Sequence, residues 1–395
     1  MKYLSALLAV LLLLTGCGRV QQAETTAFTT VPETTVPETT VPETTVPETT
    51  VPETTTEVTE APDPLEYLLS KMTTGEKVGQ LFLARCPDAE AVADVTAYHL
   101  GGYILFGRDF ENQTPDSLRE TLASYQTAAD IPMLIAVDEE GGTVCRVSNN
   151  AAFRQSRFPS PRSLYNQGGL DAIQETEGEK CQLLRSLGIN VNMAPVCDIT
   201  TDSQAFMYSR SLGQSPEITG TFAQTMVETM SQYQVGSVLK HFPGYGENAD
   251  THVGIALDSR SLEELEQHDL IPFAAGIEAN CDAILVSHTV VECLDGKFPA
   301  SLSPAVHQYL REEMGFQGVI VTDDLVMEAI TQQYGAGEAA VLAVLAGNDL
   351  LCSSDYRTEY PAVLTAVEEG RISEGLLNQA VLRILRWKQE LGLIV

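Results

Sequence analysis

The chain has 395 residues, 44% of them hydrophobic, with 23 Lys and Arg against 54 Asp and Glu, a formal net charge of −31. That charge excludes non-specific attraction to nucleic acid or anionic lipid headgroups, which carry the same sign. The length excludes a disulfide-rich mini-fold, and the scarcity of long apolar runs excludes a multi-span membrane protein.

Met1-Lys2-Tyr3 is a short basic start, followed by an apolar run over 4–14. The run is too short to span a bilayer, which needs roughly 20 apolar residues, but it suits the core of a signal peptide over 1–16. Leu14-Thr15-Gly16-Cys17 resembles the lipobox of bacterial lipoproteins. That resemblance implies that Cys17 becomes the lipidated first residue and tethers an exported protein to the membrane. A generic secretory signal with an incidental Cys is the alternative.

Residues 17–62 have a different composition. Val-Pro-Glu-Thr-Thr repeats five times in succession from Val31, Val36, Val41, Val46 and Val51, and no Lys or Arg occurs between Arg19 and Lys71. Too few apolar groups are present to offset chain entropy, while Pro, β-branched Thr and mutually repelling Glu favour extended backbone. The repeat is too short to form a solenoid with a buriable face. Fully extended, this linker reaches on the order of 100 Å. The expectation is an extracytoplasmic domain over 63–395, lipid-anchored and held out toward the cell wall. That domain carries 46 acidic and 21 basic side chains, a net of −25, so the acidity belongs to it rather than to the linker.

Within 63–395 short apolar runs alternate with longer amphipathic ones. The strand pattern falls at 78–84, 102–106, 133–138, 189–196, 235–241, 283–288, 318–323 and 349–352. Helical periodicity falls between them at 114–128, 170–186, 216–234, 261–278, 303–314, 328–346 and 360–369, with a closing helix at 372–393. Near-continuous apolar strands separated by helices imply a parallel sheet covered on its outer face, and eight of them imply a (β/α)8 barrel. A doubly wound open sheet is the alternative, but no G-x-G-x-x-G follows the first strand. Seven cysteines remain beyond Cys17, in or beside apolar runs and without metal-type spacing, so buried free thiols are expected. A monomer is the default.

Polar residues stand where the strands end: Asp138-Glu139-Glu140, Lys240-His241, Ser287-His288 and Asp323-Asp324. Strand carboxyl ends build barrel active sites. Asp323, at a strand tip, suits a nucleophile or cation stabiliser, whereas Asp324 also suits a helix N-cap. After Lys240-His241, the residues Pro243, Gly244 and Gly246 force a loop carrying Asp250 and His252, two apart. A carboxylate beside an imidazole orients it and raises its pKa, giving an acid–base group. A nucleophile and an acid–base on opposite sides of a pocket suit glycoside chemistry. Ser287-His288 reads as a packing pair and Trp387 as a core residue.

Six ordered motifs then resemble glycoside hydrolase family 3. Asp138-Glu139-Glu140-Gly141-Gly142 with Val144 and Arg146 is similar to its D-x-E-G-G-x-V-x-R segment. Asn192-Met193-Ala194-Pro195-Val196-Cys197-Asp198 and Arg210-Ser211-Leu212-Gly213 match two further segments. Lys240-His241-Phe242-Pro243-Gly244 with Asp250-Thr251-His252 resembles the K-H-F-P-G…D-S-H pattern of the NagZ-like β-N-acetylglucosaminidase branch. Pro299-Ala300-Ser301-Leu302-Ser303 and Thr322-Asp323-Asp324-Leu325 complete the set. The resemblance implies Asp323 as nucleophile, His252 as acid–base and Asp250 as its partner, with Asp138, Arg146, Arg210, Lys240 and His241 binding the sugar. It implies no metal or cofactor, and a GlcNAc-containing glycan or muropeptide as substrate. Tyr245, Glu139 and Thr143 depart from residues common at those positions, which bears on subsite shape. The sequence leaves three readings open: an exo-acting retaining hydrolase, a phosphorylase using phosphate as acceptor, and a glycan-binding lipoprotein with a decayed site.

Overall fold

The computed structural model describes residues 63–246 and 256–394. The signal, Cys17 and linker expectations, and Asp250, Thr251 and His252 of the candidate loop, lie outside the described residues.

Eight parallel strands are laid down in chain order: β1 (Phe82–Arg85), β2 (Gly102–Leu105), β3 (Leu134–Val137), β4 (Val191–Asn192), β5 (Gly236–Phe242), β6 (Ala283–Val286), β7 (Val319–Thr322) and β8 (Leu351–Ser353). Each pairs with its sequence neighbour, β1 also pairs with β8, and a bridge between Val321 and Leu350 joins β7 to β8. The expected (β/α)8 barrel is therefore present and closed. Closure leaves no sheet edge for another chain to pair with. Strands β2, β3, β6 and β7 are buried along their whole length, so their Val, Ile and Leu side chains each contribute about 1.5–3 kcal/mol of apolar burial. Gly102 permits the close β2–β3 approach, since a Cβ there would lie 2.4 Å from the Leu134 carbonyl oxygen.

The helices on the outside start with a repeated device. Thr114, Ser160, Ser215 and Ser303 each cap a helix with the side-chain oxygen, and each is followed by Pro at the first helical position. The hydroxyl satisfies an orphan N–H, and Pro loses nothing where no intrahelical donor is needed. Among the described residues no helix is long and apolar enough to cross a membrane. Six of the seven remaining cysteines are buried free thiols, and Cys293 is exposed.

Several boundaries differ from expectation. The strand expected at 78–84 begins only at Phe82, because Thr74–Gln80 is helical. Thr73 and Glu76 form a reciprocal capping box there, which fixes a helix start that apolar periodicity does not register. The helix expected at 328–346 breaks at Gly335, whose φ of 69° is left-handed. The 261–278 helix divides into Leu262–Glu266 and Leu270–Glu278 around buried Asp269, which binds Arg260. The 170–186 helix starts earlier, at Pro161, with a kink at Gly168 and Gly169.

Candidate active site

The carboxyl ends of the strands surround a cavity of about 450 Å³ lined by, among others, Asp138, Glu140, Arg146, Lys240, His241 and Asp323. Six residues expected from sequence therefore share one pocket when Arg210, also in its wall, is counted with the five of them that were anticipated. Glu140 was not anticipated.

Asp138 leaves the end of β3 and accepts a hydrogen bond from Lys240 Nζ at 2.7 Å, with Arg146 Nη2 at 3.8 Å from its other oxygen. Lys240 Nζ also lies 2.6 Å from Glu140 Oε1. Arg210 grips Glu140 with two parallel bonds, Nε to Oε2 at 2.9 Å and Nη2 to Oε1 at 2.7 Å. Such fork geometry fixes both partners. Lys240 is only 2% exposed and Glu140 3%. Burial alone would raise the Glu140 pKa, but the Lys240 and Arg210 charges outweigh it and hold the carboxyl well below the usual range. Burial would likewise lower Lys240, yet Asp138 and Glu140 keep it above its ordinary value. The cluster is therefore charged throughout and rigid, leaving one side of the Asp138 carboxylate open to accept from hydroxyl groups.

Arg210 Nη2 also lies 3.2 Å from His241 Nε2, and His241 Nδ1 lies 2.7 Å from Asp198 Oδ2. Because guanidinium only donates, Nε2 accepts and Nδ1–H donates to Asp198. Asp198 also receives the backbone N–H groups of His241 and Tyr245, so it sets the turn leaving β5. Glu139 points the opposite way and accepts the backbone N–H groups of Arg146, Val147 and Ser148. It thereby folds the hairpin Glu139–Gly141/Val144–Cys145 that carries Arg146 toward the pocket.

Asp323 follows β7, its backbone N–H bonded to Val286 O at 3.1 Å, and its Oδ1 accepts from the Asp324 N–H at 2.8 Å. Asp324 is not the helix N-cap allowed by the sequence. That position falls to Met327, and Asp324 instead accepts from Ser354 N at 3.0 Å and from the Ser354 hydroxyl, tying the β7 exit to the β8 exit. His288 bridges Ser301 Oγ at 2.7 Å and the Asp324 carbonyl at 3.0 Å, so it braces the same turn. Trp387 packs its ring against Gly236 at the start of β5, away from the pocket.

The described flanks of 247–255 converge on one guanidinium. Arg260 donates to Asp258 at 2.6 Å, Asp269 at 2.5 Å and the Gly244 carbonyl at 3.4 Å.

Behind β8, Glu359 is fully buried, and neither of its carboxylate oxygens meets hydrogen-bond geometry with a partner among the described residues. Burial, with the Asp324 charge adding to it, pushes the Glu359 carboxyl up to about 8. Below its unfolded value near 4.5 the group is protonated folded and unfolded alike, and its contribution is fully present. Between roughly 4.5 and 8 only the unfolded chain sheds the proton, so stability falls by up to about 1.4 kcal/mol per pH unit. Urea melts of Glu359→Gln are expected to show a flatter pH dependence over this window than wild type; parallel curves would overturn the assignment.

A charged, water-accessible pocket at the mouth of a closed parallel barrel, with Asp323 at a strand tip in the same wall as the ion-pair cluster, defines a barrel enzyme of the glycosidase type. The chain matches the glycosyl hydrolase family 3 N-terminal domain over residues 73–387, and it belongs to that family. It is 32% identical over 327 residues to the β-hexosaminidase LpqI of Mycobacterium tuberculosis, covering 79% of this chain and 82% of that one. A β-hexosaminidase of Xanthomonas oryzae pv. oryzae is 33% identical over 284 residues, covering 70% and 83%. Among solved structures, a glycoside hydrolase family 3 β-N-acetylglucosaminidase from Paenibacillus sp. superposes with a TM-score of 0.77 at 34% identity. That match covers 82% of this chain and 63% of the other.

Sequence reasoning assigned no role to Glu140, Asp198 or Arg85. A usable signal exists for the first: along an extended backbone residues two apart share a face, so Asp138 and Glu140 point together while Glu139 points away.

Proposed function

We propose that the protein is an exo-acting, retaining β-N-acetylglucosaminidase that removes terminal β-linked GlcNAc from glycans, peptidoglycan fragments among them. The observation that carries this is the Asp138–Lys240–Glu140–Arg210 cluster set in the same pocket as Asp323. The cluster presents an acceptor and fixed cations to adjacent sugar hydroxyls, while Asp323 attacks the anomeric carbon and expels the glycosidic oxygen. His252, oriented by Asp250, donates the proton to that oxygen and then withdraws one from water, which releases the sugar from Asp323. The named β-hexosaminidase relatives support the acetamido sugar as substrate. The lipobox-like Leu14-Thr15-Gly16-Cys17 supports a lipid-anchored, extracytoplasmic enzyme, its barrel over 63–395 borne on the linker at 17–62.

An aryl β-N-acetylglucosaminide is expected to release its phenol at least about a hundredfold faster than the matching β-glucoside, the difference expected when a site is built to hydrogen-bond a group that one substrate lacks. Free GlcNAc is the expected product in phosphate buffer. GlcNAc-1-phosphate would replace the hydrolase with a phosphorylase, and tight GlcNAc retention without turnover would favour a binding protein.

A further inference from the structure

The amino ends of the first three strands, opposite the pocket, bring together three metal-ligating side chains from separate elements. Glu76 lies on the helix Thr74–Gln80 that leads into β1, His99 on the turn before β2, and Asp130 on the loop before β3. One ligand-type atom from each lies within 4.8 Å of the other two, a juxtaposition of His and carboxylates found at no other place among the described residues. A cavity of about 20 Å³ opens between them, with Gln80 also in its wall, room for a single water-sized group. His99 Nδ1 stands 3.5 Å from Asp130 Oδ2. The ring makes no hydrogen bond among the described residues; the bond made at His99 uses its carbonyl. Two donors on one zinc ion, with arms of about 2.0–2.2 Å at the tetrahedral angle, stand about 3.3–3.5 Å apart. The imidazole and the carboxylate are therefore spaced as the edge of a zinc tetrahedron rather than as a hydrogen-bonded pair.

The three side chains are held from behind. Glu76 Oε2 accepts from the Thr73 N–H at 2.6 Å and from its hydroxyl at 2.7 Å, which leaves Oε1 for a cation. Gln80, 2% exposed, donates from Nε2 to the His99 carbonyl at 2.8 Å and accepts from buried Lys388 Nζ at 2.6 Å. Hydrogen-bonded supports of this kind orient metal ligands. We propose that Glu76, His99 and Asp130 form a structural zinc site, with water as fourth ligand, that ties together the segments entering β1, β2 and β3. One imidazole with two carboxylates suits zinc, whereas calcium and magnesium take sets made wholly of oxygen. The ligands stand at the opposite end of the barrel from Asp323, so the ion takes no part in the reaction proposed above. The inference goes beyond the glycosidase reading and does not rest on it.

The test is calorimetric titration of the chelator-treated full chain with zinc chloride, beside His99→Asn and Asp130→Asn. Asn tolerates the left-handed backbone of His99, whose φ is 51°, and Asp130 is exposed, so both variants are expected to melt like wild type without zinc. Each is expected to bind one zinc equivalent at least about a hundredfold more weakly, since loss of a mere supporting contact already costs tenfold to a hundredfold. Reading the difference between chains removes zinc held by other acidic groups. At a hundred times its dissociation constant, zinc is expected to raise the wild-type melting midpoint by about 4 °C and to leave that of His99→Asn in place. Cobalt(II) added instead is expected to give the strong visible absorption of a four-coordinate ion in wild type only. Equal zinc stoichiometry, affinity and melting shift in all three chains would overturn the proposal. So would magnesium or calcium binding as tightly as zinc in a His99-independent way, which would reduce the site to acidic surface. None of the three ligands lines the pocket, so this result and cleavage of the aryl substrate are read independently.

Discussion

Replacing Asp323 with Ala is expected to lower turnover of an aryl β-N-acetylglucosaminide by about four orders of magnitude or more, a loss of at least about 5 kcal/mol of transition-state stabilisation. In the double displacement proposed here the carboxylate forms the bond that replaces the glycosidic oxygen, so no neighbouring group substitutes for it. Asp138 and Glu140 are also carboxylates in the pocket, but Lys240, Arg210 and Arg146 engage them. The Asp323 backbone remains bonded to Val286 O whichever side chain it carries, so a folded variant is expected. Azide supplies a positive readout. It can enter the space left by the carboxylate, attack from that face and yield the α-glycosyl azide, with the aryl group leaving from the opposite face. Turnover within tenfold of wild type, or a β-azide product, would remove Asp323 from the nucleophile role.

Much of this site was legible because barrel architecture converts sequence position into place. A polar residue directly after a buried apolar run stands at the mouth, which locates Asp138, Lys240, His241 and Asp323 from the sequence alone. What was not legible depends on which groups meet across the barrel. Glu140 lies 70 residues from Arg210 and 100 from Lys240, and although the two-residue alternation puts Asp138 and Glu140 on one face, nothing local states which cations meet them there or that Glu139 folds a hairpin. Asp324 misled for a related reason. Asp before a helix is a common cap, but here the β8 exit places Ser354 against it, and that long-range bond wins over the local one. Helix boundaries failed where a side chain interrupts the backbone ladder, as Asp269 does by binding Arg260, or where Gly335 supplies a left-handed turn.

Glu140→Gln is expected to produce the largest loss of stability of any single isosteric change in the pocket. The amide keeps the shape but removes the charge, leaving buried Lys240 and Arg210 to share Asp138. Removing one partner of a buried pair costs about 3–5 kcal/mol, because the charge left behind stays desolvated. The same argument sets the sign of a control. Lys240→Met added to Glu140→Gln removes part of the unmatched positive charge, so the double variant is expected to unfold at higher urea than the sum of the two single losses predicts. The pH dependence follows from the depressed Glu140 pKa. Its contribution is present above the unfolded value near 4.5 and is lost as pH falls toward the lower folded value. The wild-type advantage over Glu140→Gln should therefore shrink on acidification from pH 6 toward pH 3, the reverse of the trend expected at Glu359. Function should suffer as well, since Glu140 is what holds the Arg210 fork and one side of Lys240. A rise in KM accompanied by a fall in kcat is expected, as both sugar placement and the transition-state geometry depend on those cations. Wild-type melting together with wild-type kinetics in Glu140→Gln would show that Asp138 suffices to balance the cluster.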